Sequence, residues 1–257
     1  MLNLPEPDRS RLTKSPLDLV VSQIRFDQRS SVSTPKVGFG FQKMLGDDAE
    51  QAWKVEPVEG PRPVNITVTP EGPQVSTGDL LRGWRFTASD DAYVLVLMPD
   101  SIAIETRQYT QWSDFRIMAE RTVGCLSDQV GPEIELRVGL RYVDRLRDPS
   151  INSPAGWAGK LQPPLHGLVG HERLGPAVLN QQLQIMLSLD GAGECRFAHG
   201  TLPTEHGLEY VLDYDLYRQE ARPFDGASVI EALDLFNTEA LKLFQASVTP
   251  NTIDALR

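Results

Sequence analysis

Hydrophobic residues recur along this chain with two periods, and each change of period marks an element. Residues 17–27 (LDLVVSQIRFD) are dense in β-branched and apolar side chains, with Pro16 in front and the polar run RSSVST behind. That pattern predicts a largely buried first strand. Over residues 34–54, Gly38, Gly40 and Gly46 argue against a long helix while Phe39, Phe41, Met44 and Leu45 need burial, so one short helix is expected. Five prolines between 55 and 80 (Pro57, Pro61, Pro63, Pro70, Pro73) leave room for an edge strand over 64–69. Segments 83–88, 93–98 and 101–109 follow, split by Ser89-Asp90-Asp91 and Pro99-Asp100, links short enough for an antiparallel meander. The period then lengthens to about 3.6 residues. Trp112, Phe115, Ala119, Thr122, Leu126 and Val130 form one helical stripe, which Gly131-Pro132 ends.

The cleanest strand is 133–146. Its alternation assigns Ile134, Leu136, Val138, Leu140, Tyr142 and Leu146 to the core, and Glu133, Glu135, Arg137, Arg141 and Arg145 to a polar face. Residues 148–178 are rich in Pro and Gly and accommodate one or two short helical turns. A second meander runs through 181–190, 194–198 and 208–218, with Asp190-Gly191 as a hairpin turn. Ser228-Val229-Ile230-Glu231 has capping-box spacing, and Val229, Leu233, Phe236, Ala240 and Leu243 give a final amphipathic helix ending near Thr249-Pro250.

The order of elements repeats, and LVVSQIRFD aligns with LRVGLRYVD, so that Arg25-Phe26 is answered by Arg141-Tyr142. The fold class expected is α+β: two similar halves, each an antiparallel meander sheet packed on one long amphipathic helix. The boundaries are a flexible N-terminal arm (1–15), a first half (16–131) and a second half (132–257), their sheets joined through strand 133–146.

Composition narrows the function. Twenty-five Lys and Arg against 35 Asp and Glu give a formal charge of −10, which phosphate repels, so general nucleic-acid binding is not expected. No apolar run approaches the roughly 20 residues of a membrane span, and the charged start of the chain does not read as an export signal. Two cysteines, Cys125 and Cys195, make no disulfide scaffold, and the expected location is the cytoplasm. No nucleophile elbow, Walker A loop or H-E-x-x-H pair occurs, so no catalytic residue, metal or cofactor is assigned. His166, His171, His199 and His206 fall in turn-rich stretches, as surface residues or as convergent ligands.

Three features offer recognition chemistry. Arg25, Arg137 and Arg141 project onto one sheet face if the first and central strands pair, where guanidinium forks grip a carboxylate or phosphate; alternatively Glu105, Glu133 and Glu135 pair with these three, Arg145 and Arg107 across neighbouring strands as a salt-bridged surface. Asp213 and Asp215 share a strand face, either solvated or holding a divalent cation with a third carboxylate, and Asp47-Asp48-Ala49-Glu50 forms another acidic cluster. Trp157, in Ala155-Gly156-Trp157-Ala158-Gly159, is either core or an exposed anchor for a partner; Trp53, Trp84, Trp112, Phe39 and Phe41 read as core.

PLDLVVSQIRF, IETRQYTQWSDF, ELRVGLRYVDRL and the helix end LFQASVTP together resemble a sporadically distributed prokaryotic family of uncharacterised proteins of about this length, although 150–180 is richer in Pro and Gly than that family's pattern. The resemblance implies no activity and transfers no catalytic residue. Its scattered occurrence, like that of toxin–antitoxin or phage-defence genes, implies a protein partner encoded nearby. The expected function is therefore a non-enzymatic binding or regulatory protein, with homo-oligomerisation open. The alternative is a small-anion or nucleotide-binding protein, with or without enzymatic activity, built on Arg25, Arg137 and Arg141.

Overall fold

The computed structural model describes residues 2–46, 52–60, 64–69, 72–77 and 82–257. In chain order the elements are β1 (Leu17–Phe26), α1 (Pro35–Leu45), β2 (Trp53–Glu59), β3 (Val64–Thr69), β4 (Gly72–Thr77), β5 (Arg82–Ala88), β6 (Val94–Met98), β7 (Ser101–Thr106), α2 (Trp112–Gln129), β8 (Ile134–Leu146), β9 (Gln182–Ser188), β10 (Glu194–Thr204), β11 (Gly207–Arg218), β12 (Arg222–Pro223), α3 (Gly226–Ser247) and α4 (Pro250–Leu256). All but β3 and β4, which pair with each other, join one antiparallel sheet in the order β2-β5-β6-β7-β1-β8-β11-β10-β9, with β12 beside β8. The acidic cluster 47–50 lies outside the described residues.

The first and central strands do pair: Arg25 stands opposite Arg137 and Val21 opposite Arg141. Outward from β1 come β7, β6 and β5; outward from β8 come β11, β10 and β9. Buried apolar residues from both sides of Pro132 form one core cluster, including Val20, Ile24, Phe115, Val138, Leu212, Leu233 and Phe236. Helix α1 packs on β5, α3 packs on β8 and β11, and α2 bridges the two helices. Among the described residues no helix is long and apolar enough to cross a membrane.

Local chemistry explains the punctuation. Gly131 closes α2 with φ +60°, donating its N–H to the Leu126 carbonyl. Asp190 and Gly191 both have positive φ (54° and 82°), the requirement of a tight turn between right-twisted strands. The cap of α3 lies three residues earlier than the capping-box spacing suggests: Asp225 accepts from the Ala227 and Ser228 N–H groups.

Other departures have long-range causes. The β1–β8 register shifts between Arg25 and Phe26, so Phe26 faces Glu135. This irregularity turns Glu135 into the core, where it is fully buried and bound bidentately by Arg218 at 2.8 Å, and leaves Ile134 and Leu136 more than one-third exposed, at 37% and 38%. Phe39, expected in the core, is 57% exposed because Phe41 and Leu45 fill the buried face of α1. The N-terminal arm is irregular but fastened. The Leu2 N–H reaches Glu239 at 2.7 Å, Asp8 exchanges two hydrogen bonds with Gln245, Lys14 N–H meets the Leu256 carbonyl, and Leu2, Leu4 and Leu12 pack against the core.

Candidate protein interface

The arginines occupy the predicted sheet face but are already engaged. Arg141 binds Asp213 through Nε and Nη2 at 2.7 and 2.8 Å, Arg137 reaches Asp215 at 3.0 Å, and Arg196 touches both carboxylates. The Asp213 hydrogen bonds raise the Arg141 pKa, and Tyr217 adds its ring 4.7 Å from the Arg137 guanidinium. Arg25 has only a long 3.5 Å contact with Asp100 and is half exposed. Of the acidic partners expected, Glu105 does take Arg107, whereas Glu135 takes Arg218 and Glu133 takes Arg29. A face whose forks are filled by its own carboxylates has little left for an external anion.

Trp157 is not an exposed anchor. It lies on a 3-10 turn (Pro154–Gly159), 2% exposed, with its ring 5.8 Å from that of Tyr210. The histidines do not converge either. His199 is buried, its Nδ1 2.7 Å from the Tyr210 hydroxyl, and burial lowers its pKa; His166 meets the Leu161 carbonyl; His171 accepts two backbone N–H groups; His206 sits at the surface beside Glu205. Among the described residues no three His, Cys, Asp or Glu side chains are grouped as metal ligands. Burial pushes both free thiols upward, Cys125 to about 11 and Cys195 to about 12, which makes them poor nucleophiles.

The unsatisfied surface lies at one end of the sheet. Strand β9 pairs with β10 on one side and ends the sheet on the other. Its sequence, QLQIMLS, contains no charge and no proline, and six of its seven residues are exposed. Leu183 and Ile185 stand opposite His199 and Phe197 on the helix side of the sheet, yet remain 40% and 45% exposed. The cause is visible in the second half. Where α1 covers β5 in the first half, residues 148–178 form short 3-10 turns and no helix of comparable length. Those turns and the residue after them add Leu168, Leu174 and Leu179, all at least half exposed, and Leu183 packs beside Gly167.

The opposite edge is guarded. Strand β2 carries Pro57 in mid-strand together with Lys54, Glu56 and Glu59, devices that discourage a second strand from adding there. Strand β9 has none of them. No family model matches the chain, and no curated protein matches it. Composition and geometry single out the β9 edge: clustered exposed aliphatic residues mark interaction sites on proteins.

Alternation over 181–190 sets Leu183, Ile185, Leu187 and Leu189 on one side of a strand; Leu189 is buried and Leu187 half-buried, whereas Leu183 and Ile185 are exposed. The signal that alternation passes over is the complete lack of charge from 182 to 188, followed by no second helix able to cover that strand.

Proposed function

We propose that this chain is a non-enzymatic protein-binding module whose partner adds a strand along β9 and covers Leu168, Leu174, Leu179, Leu183 and Ile185. The carrying observation is the contrast between a charge-free, proline-free edge and the guarded one at β2. Strand addition draws affinity from main-chain hydrogen bonds and specificity from alternate side chains. With a net charge of −10, a second copy is a less favourable occupant than a neutral or basic protein. The partner we expect is the product of a neighbouring gene, as in a toxin–antitoxin or phage-defence locus, acting in the cytoplasm.

We further infer that the two halves arose by duplication. Strands β1 and β8, which open the two halves, lie side by side and antiparallel, as a local dyad between them requires. The mirrored strand order on either side supports the same reading.

Co-expression with each neighbouring gene product, followed by size exclusion with light scattering, tests the function. A stoichiometric complex with one neighbour is expected, lost in Ile185→Lys and in Met186→Glu. A chain that elutes alone beside every neighbour refutes the proposal, as does a complex indifferent to both charges; a dimer of the chain alone, abolished by Ile185→Lys, replaces the partner with a second copy.

A further inference from the structure

Remote from β9, a cavity of about 280 Å³ lies between the core face of β8 and β11, helix α3 and the N-terminal arm. Its floor is Tyr142, Asp144 and Tyr214; Asn237 and Phe244 of α3 form one wall, and Tyr109 and Trp112 another. Asp144 occupies a core phase of its strand, between Tyr142 and Leu146, and is 6% exposed. Among the described residues it accepts no hydrogen bond and makes no ion pair, and desolvation alone perturbs its carboxyl. The Tyr214 hydroxyl is likewise buried without a hydrogen bond, whereas Tyr142 donates to Asn237 Oδ1 at 2.8 Å.

Buried carboxylates are ordinarily paired or hydrogen-bonded. Here no cation reaches the carboxyl. Strand β11 contributes Tyr214, the loop before α2 contributes Tyr109, and α3 contributes Asn237 and Gln245, the latter committed to the Asp8 backbone. The cations lining the mouth come from the arm (Arg9, Arg11) and the C-terminus (Arg257). Arg9 reaches Thr238, Arg257 is tied to Asp8 and Asp254, and none of the three perturbs Asp144. What remains is a lone buried carboxyl among the faces and edges of Tyr109, Trp112, Tyr142, Tyr214 and Phe244. Aromatic walls around one anion are the chemistry that recognises an organic ammonium ion.

We propose that this cavity is a binding site for a small organic cation, a primary or secondary ammonium on an apolar or aromatic body, whose N–H group donates to the Asp144 carboxylate. The apolar body lies against Phe244, Ala240 and Leu241, and the Tyr214 hydroxyl provides a second polar contact. Binding couples to protons. The empty site holds the Asp144 carboxyl protonated below about pH 7, so ammonium binding releases that proton.

Titration calorimetry with 2-phenylethylammonium, its uncharged counterpart 2-phenylethanol and the anion 3-phenylpropionate provides the test. The ammonium ion is expected to bind at least tenfold more tightly than the alcohol at pH 8, and to weaken about tenfold for each pH unit below 7. Asp144→Asn is expected to abolish the preference for the ammonium ion over the alcohol, together with its dependence on pH. Should that variant fail to fold, the pH dependence of the wild-type chain still decides. Equal affinity for the ammonium ion and the alcohol, a preference for the anion, or no binding of any of the three overturns the proposal; none of these outcomes touches the β9 reading.

Discussion

Ionising Asp144 in the empty protein should destabilise it, and the size of the effect follows from the structure. Burial raises this carboxyl to about 7, against roughly 3.9 in an unfolded chain. The sign is opposite to that of a salt-bridged aspartate. Below about pH 4 the group is protonated in both states and costs nothing. Between about 4 and 7 the unfolded state releases its proton while the native state retains it, so stability falls as pH rises, and above 7 the loss levels off. At about 1.4 kcal/mol per pH unit the full loss is about 4 kcal/mol, a large part of the 5–15 kcal/mol that holds a typical domain together. Asp144→Asn removes the titration at nearly constant volume. Urea unfolding of both chains at pH 5 and pH 8 isolates the carboxyl, because His199 and every other titrating group are common to both. Relative to wild type, the variant should gain about 2–3 kcal/mol between the two conditions. A difference below about 0.5 kcal/mol would mean that the carboxyl finds water or a partner in solution, and would remove the basis of the cation site.

Other consequences concern separate parts of the molecule. Trp157→Ala should cost about 3–5 kcal/mol in denaturant unfolding as a cavity opens against Tyr210, whereas Trp157→Phe, which deletes a buried indole N–H without a partner, should cost far less. Arg141→Ala should lower stability by only about 1 kcal/mol, because Arg196 continues to hold Asp213. The His199 imidazole, buried against Phe197 and Tyr210, should titrate in an NMR series below the ordinary value of about 6.5, so its contribution to stability is complete above that pH and fades as the pH falls through it. Ile185→Lys should change the melting temperature of the isolated chain very little, since the residue is 45% exposed and already faces solvent.

What could be read from the sequence was whatever neighbouring residues decide. The helices over 112–129 and 226–247, the hairpin at Asp190-Gly191 and the meander from 82 to 106 each follow from a period and a turn residue. The pairing of the first and central strands was also within reach, because LVVSQIRFD and LRVGLRYVD present matching faces. What escaped depends on which strands become neighbours. Alternation put the arginines on the right face, but their partners are Asp213 and Asp215 because β11, and not another strand, lies beside β8. Likewise, one shift in the β1–β8 register inverted Glu135 and Leu136, a displacement that no pattern in either strand announces.

Asp144 is the instructive case, because its signal was local and was still passed over. In the run Val138, Leu140, Tyr142, Asp144, Leu146, a charged residue breaks an otherwise apolar register on the most regular strand of the chain. Elsewhere in the core the same break has a visible answer: Glu135 meets Arg218, and Glu239 meets Lys242 and the Leu2 N–H. Those two acids are parts of the scaffold, since removing either partner would strand a buried charge at a cost of several kcal/mol. Asp144 has no such answer within the protein, and the space in front of it is large enough to admit one from outside.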